Sequence, residues 1–166
     1  TGLAHLASLE KLKWLHLGGT QVTGEGLHHL RALQHLEALH LENTSVGDNG
    51  ISDLIDLPKL RYLNLYGTQI TDRGLLELAE SESLERIYVW KTRVTPEGIA
   101  KLRDDGKAII FSTHIMSEAE QLCDRIAIIH HGRILATDTL DGLRESTGHH
   151  YLEGIFVHYA NSSGFD

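Results

Sequence analysis

Cysteine, proline, methionine and long apolar runs are all scarce in this chain of 166 residues. Cys123 is the single cysteine, so an intramolecular disulfide is impossible, and a reducing compartment such as the cytoplasm is favoured. No apolar run reaches the length of about 18 residues that indicates a transmembrane helix, so no direct membrane insertion is predicted. The start of the chain also lacks a basic stretch followed by an apolar core, so no signal peptide is predicted.

Positive charge is in short supply as well. Residues 1–103 carry 11 basic and 13 acidic side chains, a net charge of −2, and residues 104–166 carry 4 and 10, a net charge of −6. A protein that binds the nucleic-acid backbone needs a basic patch, and neither segment supplies one. We therefore expect no nucleic-acid partner, and an anionic membrane surface is disfavoured for the same reason.

A repeat of 24 residues fills the first segment, with its first leucine at positions 12, 36, 60 and 84. Each copy reads Leu-x-x-Leu/Ile-x-Leu/Val, then Thr-x-Val/Ile, then Gly-Leu/Ile, and residues 2–9 match the second half of an earlier copy. The pattern resembles the leucine-rich-repeat family, which implies a solenoid with a parallel sheet on its concave side. Because one repeat cannot bury its apolar face alone, we expect stacked repeats and an open N-terminal edge through which the chain could self-associate.

Side chains between the core leucines of each predicted strand face outward and line up in columns across repeats. The columns are Trp14, Ala38, Tyr62 and Arg86; His16, His40, Asn64 and Tyr88; and Gly18, Glu42, Tyr66 and Trp90. Tyrosine, tryptophan and arginine dominate binding hot spots, and contiguous exposed aromatic side chains mark interfaces. We therefore predict that a protein partner binds Trp14, His16, His40, Tyr62, Asn64, Tyr66, Arg86, Tyr88 and Trp90. The alternative is that the aromatic side chains pair across strands only to stabilise the sheet.

The histidines His16 and His40 fall on neighbouring predicted strands, where two imidazoles could share a metal ion. Two imidazoles without a third ligand are weak support for a metal site. Solvated histidines are the favoured interpretation, and no metal site is predicted.

A different pattern begins after Leu102. A polar turn precedes an apolar strand that ends at His114, and a helix capped by Ser117 or Thr113 follows. A hairpin is predicted around His130-His131-Gly132. The expected ranges are a strand at 108–113, a helix at 117–123, strands at 125–129 and 133–137, and helices at 140–145 and 151–159.

Three stretches carry a second resemblance. They are Gly106-Lys107-Ala108-Ile109-Ile110-Phe111-Ser112-Thr113-His114, Glu118-Ala119-Glu120-Gln121-Leu122-Cys123-Asp124-Arg125-Ile126 and His131-Gly132-Arg133-Ile134. Over about residues 104–160 the chain resembles the last part of an ABC-transporter ATP-binding domain. The resemblance implies that His114 corresponds to the switch histidine, which contacts the γ-phosphate of ATP in that family. Asp138 departs from the family pattern, which usually has glycine there.

The motifs that carry ATP chemistry are missing from these 166 residues. The chain has no Gly-x-x-x-x-Gly-Lys-Ser/Thr loop, no apolar strand ending in Asp-Glu, no Leu-Ser-Gly-Gly-Gln signature and no glutamine loop. Phosphoryl transfer needs several charged groups positioned at once, so His114 alone is expected to be inactive.

These absences predict a non-catalytic chain without a cofactor. ATP and Mg²⁺ enter only if another chain supplies the missing motifs. The alternatives are a truncated or split ATP-binding subunit, in which only the switch-histidine region remains, and an inert structural remnant.

The 24-residue spacing continues across the junction of the two patterns, because residues 108–113 fall where the strand of a fifth repeat would begin. We predict an α/β fold in which a leucine-rich-repeat solenoid, residues 1–103, is capped by an α/β segment with a β-hairpin, residues 104–166. The strand at 108–113 would extend the parallel sheet, and His114 would sit beside Trp90. A cap of this kind covers the core and the strand edge that the last repeat exposes.

Overall fold

The computed structural model describes residues 2–104 and 115–162, apart from the side chains of residues 103 and 104. The chain divides into two compact units, Thr1–Ser112 and Thr113–Asp166. The domain boundary between residues 103 and 104 and the capping role of the second segment stay predictions. The strand predicted at 108–113, its pairing beside the last repeat, and His114 lie outside the described residues.

The first unit contains a parallel four-stranded sheet in chain order. Its strands are β1 (Trp14–His16), β2 (Ala38–His40), β3 (Tyr62–Asn64) and β4 (Arg86–Tyr88). Leu15 pairs with Leu39, Leu39 with Leu63, and Leu63 with Ile87, so the 24-residue spacing of the sequence is the register of the sheet.

A helical segment follows each strand and carries the chain back to the start of the next. The segments are a 3-10 helix at Gly24–Ala32, α1 (Ser52–Ile55), α2 (Asp72–Ala79) and α3 (Pro96–Asp104), and another 3-10 helix, Gly2–Leu6, precedes β1. Leucines from strands and helical segments meet in one core, in which Leu27, Leu39, Leu54 and Leu63 are fully buried. Burial of each such side chain is worth about 1.5–3 kcal/mol, so this core is what holds the repeats together.

The threonine of each repeat ties the turn after the strand to the strand itself. Its hydroxyl donates to the carbonyl three residues earlier, at 2.5–2.7 Å, in Thr20, Thr44, Thr68 and Thr92. Thr44 and Thr68 are buried, and a buried hydroxyl without a partner would be costly. The hydrogen bond explains why a polar residue stands at this position of an otherwise apolar repeat.

An aspartate links consecutive repeats. Asp48 accepts hydrogen bonds from the backbone N–H of Thr71 at 2.8 Å and from its hydroxyl at 2.6 Å, and Asp72 holds Thr95 in the same way. Thr71 in turn caps the start of α2 by accepting from the N–H of Arg73 at 3.3 Å. Gly74 leaves room for the carboxylate, because a Cβ there would lie 2.5 Å from Oδ1 of Asp48.

Asp48→Ala is expected to lower the free energy of unfolding by about 1.5–3 kcal/mol, because it removes two charge-assisted hydrogen bonds and leaves the half-buried N–H of Thr71 unpaired. Asp56→Ala, at an exposed position of the same repeat, serves as the control and is expected to change it by less than about 0.5 kcal/mol. Urea unfolding of both variants measures the difference. Equal effects of the two substitutions would contradict the role given to Asp48.

The second unit contains the predicted hairpin between two helical stretches. Its elements are α4 (Met116–Leu122), β5 (Ile126–His130), β6 (Arg133–Asp138), α5 (Leu140–Thr147) and α6 (Leu152–Ser162). The strands are antiparallel, and His131 and Gly132 connect them with positive φ angles of 46° and 73°. Two consecutive left-handed residues are typical of the tight turns that join hairpin strands.

A separate core supports this unit, with Ile126, Ile128, Leu143, Leu152 and Ile155 buried in it. Cys123 packs at its edge, and partial burial raises the pKa of its thiol above the ordinary value, so the thiol is poorly reactive.

Of the two caps predicted for the first helix of the second unit, Ser117 is wrong and Thr113 lies outside the described residues. Helix α4 begins at Met116, so Ser117 lies within it, and Ile115 stands at the cap position without a side-chain hydrogen bond. Met116 packs against the core of the unit, which brings the first helical turn forward. No helix within residues 2–104 or 115–162 is both long enough and apolar enough to cross a bilayer.

Candidate functional site

The predicted columns lie on the side of the sheet that faces away from the leucine core, which we call the outer face. Strand register aligns Trp14, Ala38, Tyr62 and Arg86 in one column and His16, His40, Asn64 and Tyr88 in the next. The same register continues past the strands, since the N–H of Gly19 donates to the carbonyl of Glu42 at 2.7 Å and the N–H of Gly67 to that of Trp90 at 2.9 Å. The third column is therefore in place as well.

A row of four rings crosses the outer face from β1 to β4. His16 stacks on His40 with ring centroids 4.8 Å apart and planes 8° from parallel. His40 is followed by Tyr62 at 4.9 Å, and Tyr62 by Tyr88 at 5.2 Å. Ring centroids at 4.5–7 Å are in favourable contact, so the four side chains restrain one another.

Two groups on β3, β4 and the residues just after them combine aromatic rings with a cation. In the Tyr62 cluster, the guanidinium of Arg86 lies 5.6 Å from the centre of the Tyr62 ring, which also contacts Tyr88. In the Trp90 cluster, Nζ of Lys91 lies 5.4 Å from the Tyr66 ring and 5.3 Å from the Trp90 ring. A cation within about 6 Å of an aromatic face is attracted to it, so both positive charges are held over rings.

Lys91 occupies a strained backbone position. Its φ angle is 54°, and the equivalent residues of the earlier repeats are Gly19, Asn43 and Gly67, all with positive φ. Glycine and asparagine tolerate this left-handed conformation, whereas for other residues it costs of the order of 1–3 kcal/mol. A cation–π contact at an exposed site returns only about 0.5–1 kcal/mol, so stability alone gives no reason for a lysine here.

The predicted partner-binding residues differ in how far their side chains are exposed and in whether they are already hydrogen-bonded. Trp14 is 73% exposed and lies on the first strand of the sheet, and Trp90 is 41% exposed. The side-chain oxygen of Asn64 accepts a hydrogen bond from the N–H of Tyr66 at 3.0 Å, so that oxygen is engaged within its own strand turn. The aromatic–cation contacts described above lie on β3, β4 and the residues just after them.

Two residues outside the predicted set belong to this face. Lys91 directly follows the third column. The sequence could have indicated it, because a lysine stands where the earlier repeats have Gly19, Asn43 and Gly67. Glu42 stands in the third column, where its carboxylate lies 3.0 Å from Nε2 of His16 and 3.7 Å from Nδ1 of His40. Glu42 thus adds a third metal-ligand atom to the two imidazoles, and the three atoms lie within 4.8 Å of one another.

Comparison with known proteins matches both patterns. A family model described as leucine-rich repeat matches residues 32–54 and 56–79. The chain is 42% identical over 53 residues to an uncharacterized ABC transporter ATP-binding protein of Nostoc sp., a stretch that covers 32% of this chain and 16% of that protein. It is 41% identical over 61 residues to the daunorubicin/doxorubicin resistance ATP-binding protein of Streptomyces peucetius, which covers 37% and 18% of the two chains.

The chain joins a leucine-rich-repeat segment to an ABC ATPase-like fragment. A third relative, the ABC transporter ATP-binding protein NatA of Bacillus subtilis, is 39% identical over 57 residues, 34% of this chain and 23% of NatA. The chain therefore spans less than a quarter of the length of the curated relatives it matches. His114, the predicted counterpart of the switch histidine in the ATPase-like fragment, lies outside the described residues.

The ionisation of Tyr62 reports on how far the leucine-rich-repeat segment shields its outer face. Burial raises the pKa of the Tyr62 phenol above its ordinary value near 10, and Tyr88 and Glu42 act in the same direction, while Arg86 opposes them. The phenol is therefore neutral at physiological pH and able to donate a hydrogen bond. The stability that depends on this shift is present below pH 10 and is lost as the pH rises through the raised pKa.

An ultraviolet titration of the tyrosines tests this shift. The Tyr62 phenol is expected to ionise at higher pH than the phenol of a tyrosine amide in free solution, because partial burial disfavours the phenolate. Tyr62→Phe removes this phenol from the titration. The difference between the titration curves of the native chain and the variant isolates this group. If the phenol removed by the substitution ionised at or below the pH of the free amide, the shielding would be refuted.

Proposed function

We propose that the leucine-rich-repeat segment is a solenoid whose outer face, concave in such a fold, binds a protein partner without catalysing a reaction. The observation that carries the proposal is the pair of aromatic–cation clusters on β3 and β4, the Tyr62 cluster and the Trp90 cluster. Trp90 and both cations are exposed, and the three tyrosines are partly exposed. Aromatic and basic side chains in contact are the composition of binding hot spots rather than of ordinary surface.

Stabilisation of the sheet alone is a poorer explanation of these clusters. Cross-strand aromatic pairs would stabilise it without Arg86 and Lys91, and glycine would fit the backbone of position 91 with less strain. Backbone strain that stability does not explain is typical of functional positions. The lysine is therefore better explained by an interaction with another molecule.

The charges on the face favour a particular partner chemistry. Among the side chains that the structure describes, neither Arg86 nor Lys91 forms an ion pair, and both cations are held over rings. A partner segment with carboxylates beside apolar or aromatic side chains would complement them. The net charge of −2 over residues 1–103 supports a protein rather than a nucleic acid.

Selection from a displayed peptide library against the immobilised full chain tests the face directly. Peptides rich in acidic and aromatic residues are expected, and the combined variant Tyr62→Ala, Tyr88→Ala and Trp90→Ala is expected to weaken their binding by about 30-fold or more, since hot-spot residues are worth at least about 2 kcal/mol. Tyr151→Ala with Val157→Ala, two exposed apolar positions of the second unit, is the matched control. Isothermal calorimetry with the selected peptides gives the dissociation constants.

Lys91→Gly separates binding from stability in the same assay. It removes the cation and relieves the backbone, so we expect weaker peptide binding and a free energy of unfolding unchanged within about 1 kcal/mol or raised. Peptides that bind the triple variant and Lys91→Gly as tightly as the native chain would show that the face has been assigned wrongly.

A second candidate function is participation in an ABC-type ATP-binding complex as a truncated or split subunit. Identities of 39–42% to ATP-binding proteins support it, and so does the position of His114 in its motif. ATP and Mg²⁺ would then bind only together with a chain that supplies the phosphate loop. Calorimetric titration with Mg-ATP is therefore made on the full chain mixed with an ABC ATP-binding subunit that carries the phosphate loop. Under the partner-binding proposal the affinity is expected to be the same for the native chain and for His114→Ala, and an affinity that this substitution lowers would establish the second function instead.

Two further attributes belong to the same proposal. A cytoplasmic location is supported by the use of a single cysteine. Self-association is supported by the exposure of Trp14 on β1, which is 73%.

A further inference from the structure

A cluster of two imidazoles and a carboxylate lies at the β1 and β2 end of the outer face. Nε2 of His16 is 3.0 Å from Oε1 of Glu42, and Nδ1 of His40 is 3.7 Å from the same oxygen. One ligand atom from each residue lies within 4.8 Å of the others. Within residues 2–104 and 115–162, this is the one group of three or more such side chains with that closeness.

The carboxylate of Glu42 has an oxygen that receives no hydrogen bond from the described part of the chain. Oε2 is buried and accepts no hydrogen bond from the described residues. Leaving a buried acceptor unsatisfied costs about 1–3 kcal/mol, and more when it is charged. A carboxylate in this condition is suited to bind a cation that the side chains around it can share.

Gly18 makes the position of Glu42 possible. It precedes Glu42 in the third column, and a Cβ on it would lie 2.8 Å from Cδ of the glutamate. The later members of that column are Tyr66 and Trp90, so only the first repeat leaves this space open. The glutamate therefore occupies the space above β1 and meets the histidine of both strands.

We propose that His16, His40 and Glu42 bind a divalent transition-metal ion of the Zn²⁺ class. Two imidazole nitrogens and one carboxylate oxygen form a donor set that zinc uses, whereas Ca²⁺ and Mg²⁺ prefer sites built from oxygen. Tetrahedral ligands at bond lengths of 2.0–2.2 Å lie about 3.3 Å from each other, close to the 3.0 and 3.7 Å seen here. His16 is 66% exposed, so an ion can reach this cluster from solvent.

The site leaves a fourth position facing solvent. Three protein ligands complete only part of a tetrahedron, so water or a donor atom from another molecule takes the remaining place. The ion would also clamp β1 to β2, because His16 belongs to one strand and His40 to the other. This inference stands apart from the partner-binding proposal, which depends on the clusters on β3 and β4.

Zinc titration of the metal-free full chain by calorimetry, with Co²⁺ as a spectroscopic substitute, tests the site. One ion is expected to bind and to raise the melting temperature, because a ligand that binds only the folded chain stabilises it. His16→Ala and Glu42→Gln are each expected to weaken this binding by at least about tenfold and to abolish the tetrahedral absorption of bound Co²⁺. The His16 side chain is 66% exposed and that of Glu42 21%, and circular dichroism of each variant verifies the fold.

The control is a histidine pair without a third ligand. His149 and His158 are exposed in the second unit with ring centroids 5.8 Å apart. The double substitution His149→Ala with His158→Ala is expected to leave the affinity for zinc at the His16 site and the rise in melting temperature unchanged. The proposal is overturned if zinc binds His16→Ala and Glu42→Gln as tightly as the native chain, or if binding disappears only in the control pair. Peptide binding repeated with a chelator distinguishes failure of the metal site from failure of the partner-binding face.

Discussion

The leucine-rich-repeat segment depends on the inability of any 24-residue unit to bury its own apolar face. Each unit supplies one strand and one helical segment, and the leucines of both are buried only when the next unit stacks against them. The 24-residue spacing is therefore a packing requirement as much as a sequence pattern. Because the interior is shared, the outer face is free to vary from one repeat to the next.

Polar groups at fixed positions make the stacking specific. The threonine hydroxyls close the turn after each strand, and the aspartates at positions 48 and 72 hold the threonine that begins the following helix. The strand register aligns the outer side chains of successive repeats in columns. The rings from His16 to Tyr88 consequently meet at 4.8–5.2 Å although 72 residues separate the first from the last. A face assembled in this way is rigid before any partner arrives.

Much of the first segment could be predicted from the sequence because its signal is periodic. Spacing alone gave the strand register and the columns, including the alignment of Tyr62 with Arg86. Spacing could not reveal that Glu42 leans over Gly18 towards His16, since this depends on the side chain missing from one neighbour. Lys91 was likewise overlooked, although the sequence places this lysine at the position that Gly19 and Gly67 hold in other repeats, and its positive φ angle shows the strain there.

The second segment was predicted by a different route. Hairpin chemistry around His131 and Gly132 is local, so the strands could be placed within a residue or two. The start of α4 was misplaced at Ser117 because packing of Met116, a tertiary effect, competes with the capping preference. Resemblance to ATP-binding proteins identified the fragment, but it assigns no working role to residues whose partners in that chemistry are missing.

The contacts between successive repeats also limit how this chain can be rebuilt. Between the first and second repeats, Gly24 faces Gly50 and the two backbones nearly touch, while the next two junctions place Asp48 against Gly74 and Asp72 against Gly98. If the first repeat were moved to a later place, Gly24 would stand where the threonine of the following repeat needs an aspartate as its hydrogen-bond acceptor. If a later repeat were moved to the front, its aspartate side chain would clash with the backbone at Asn49 and Gly50. The units are thus ordered parts of one assembly rather than interchangeable modules, and a shortened version would have to be cut at a junction whose two sides still match.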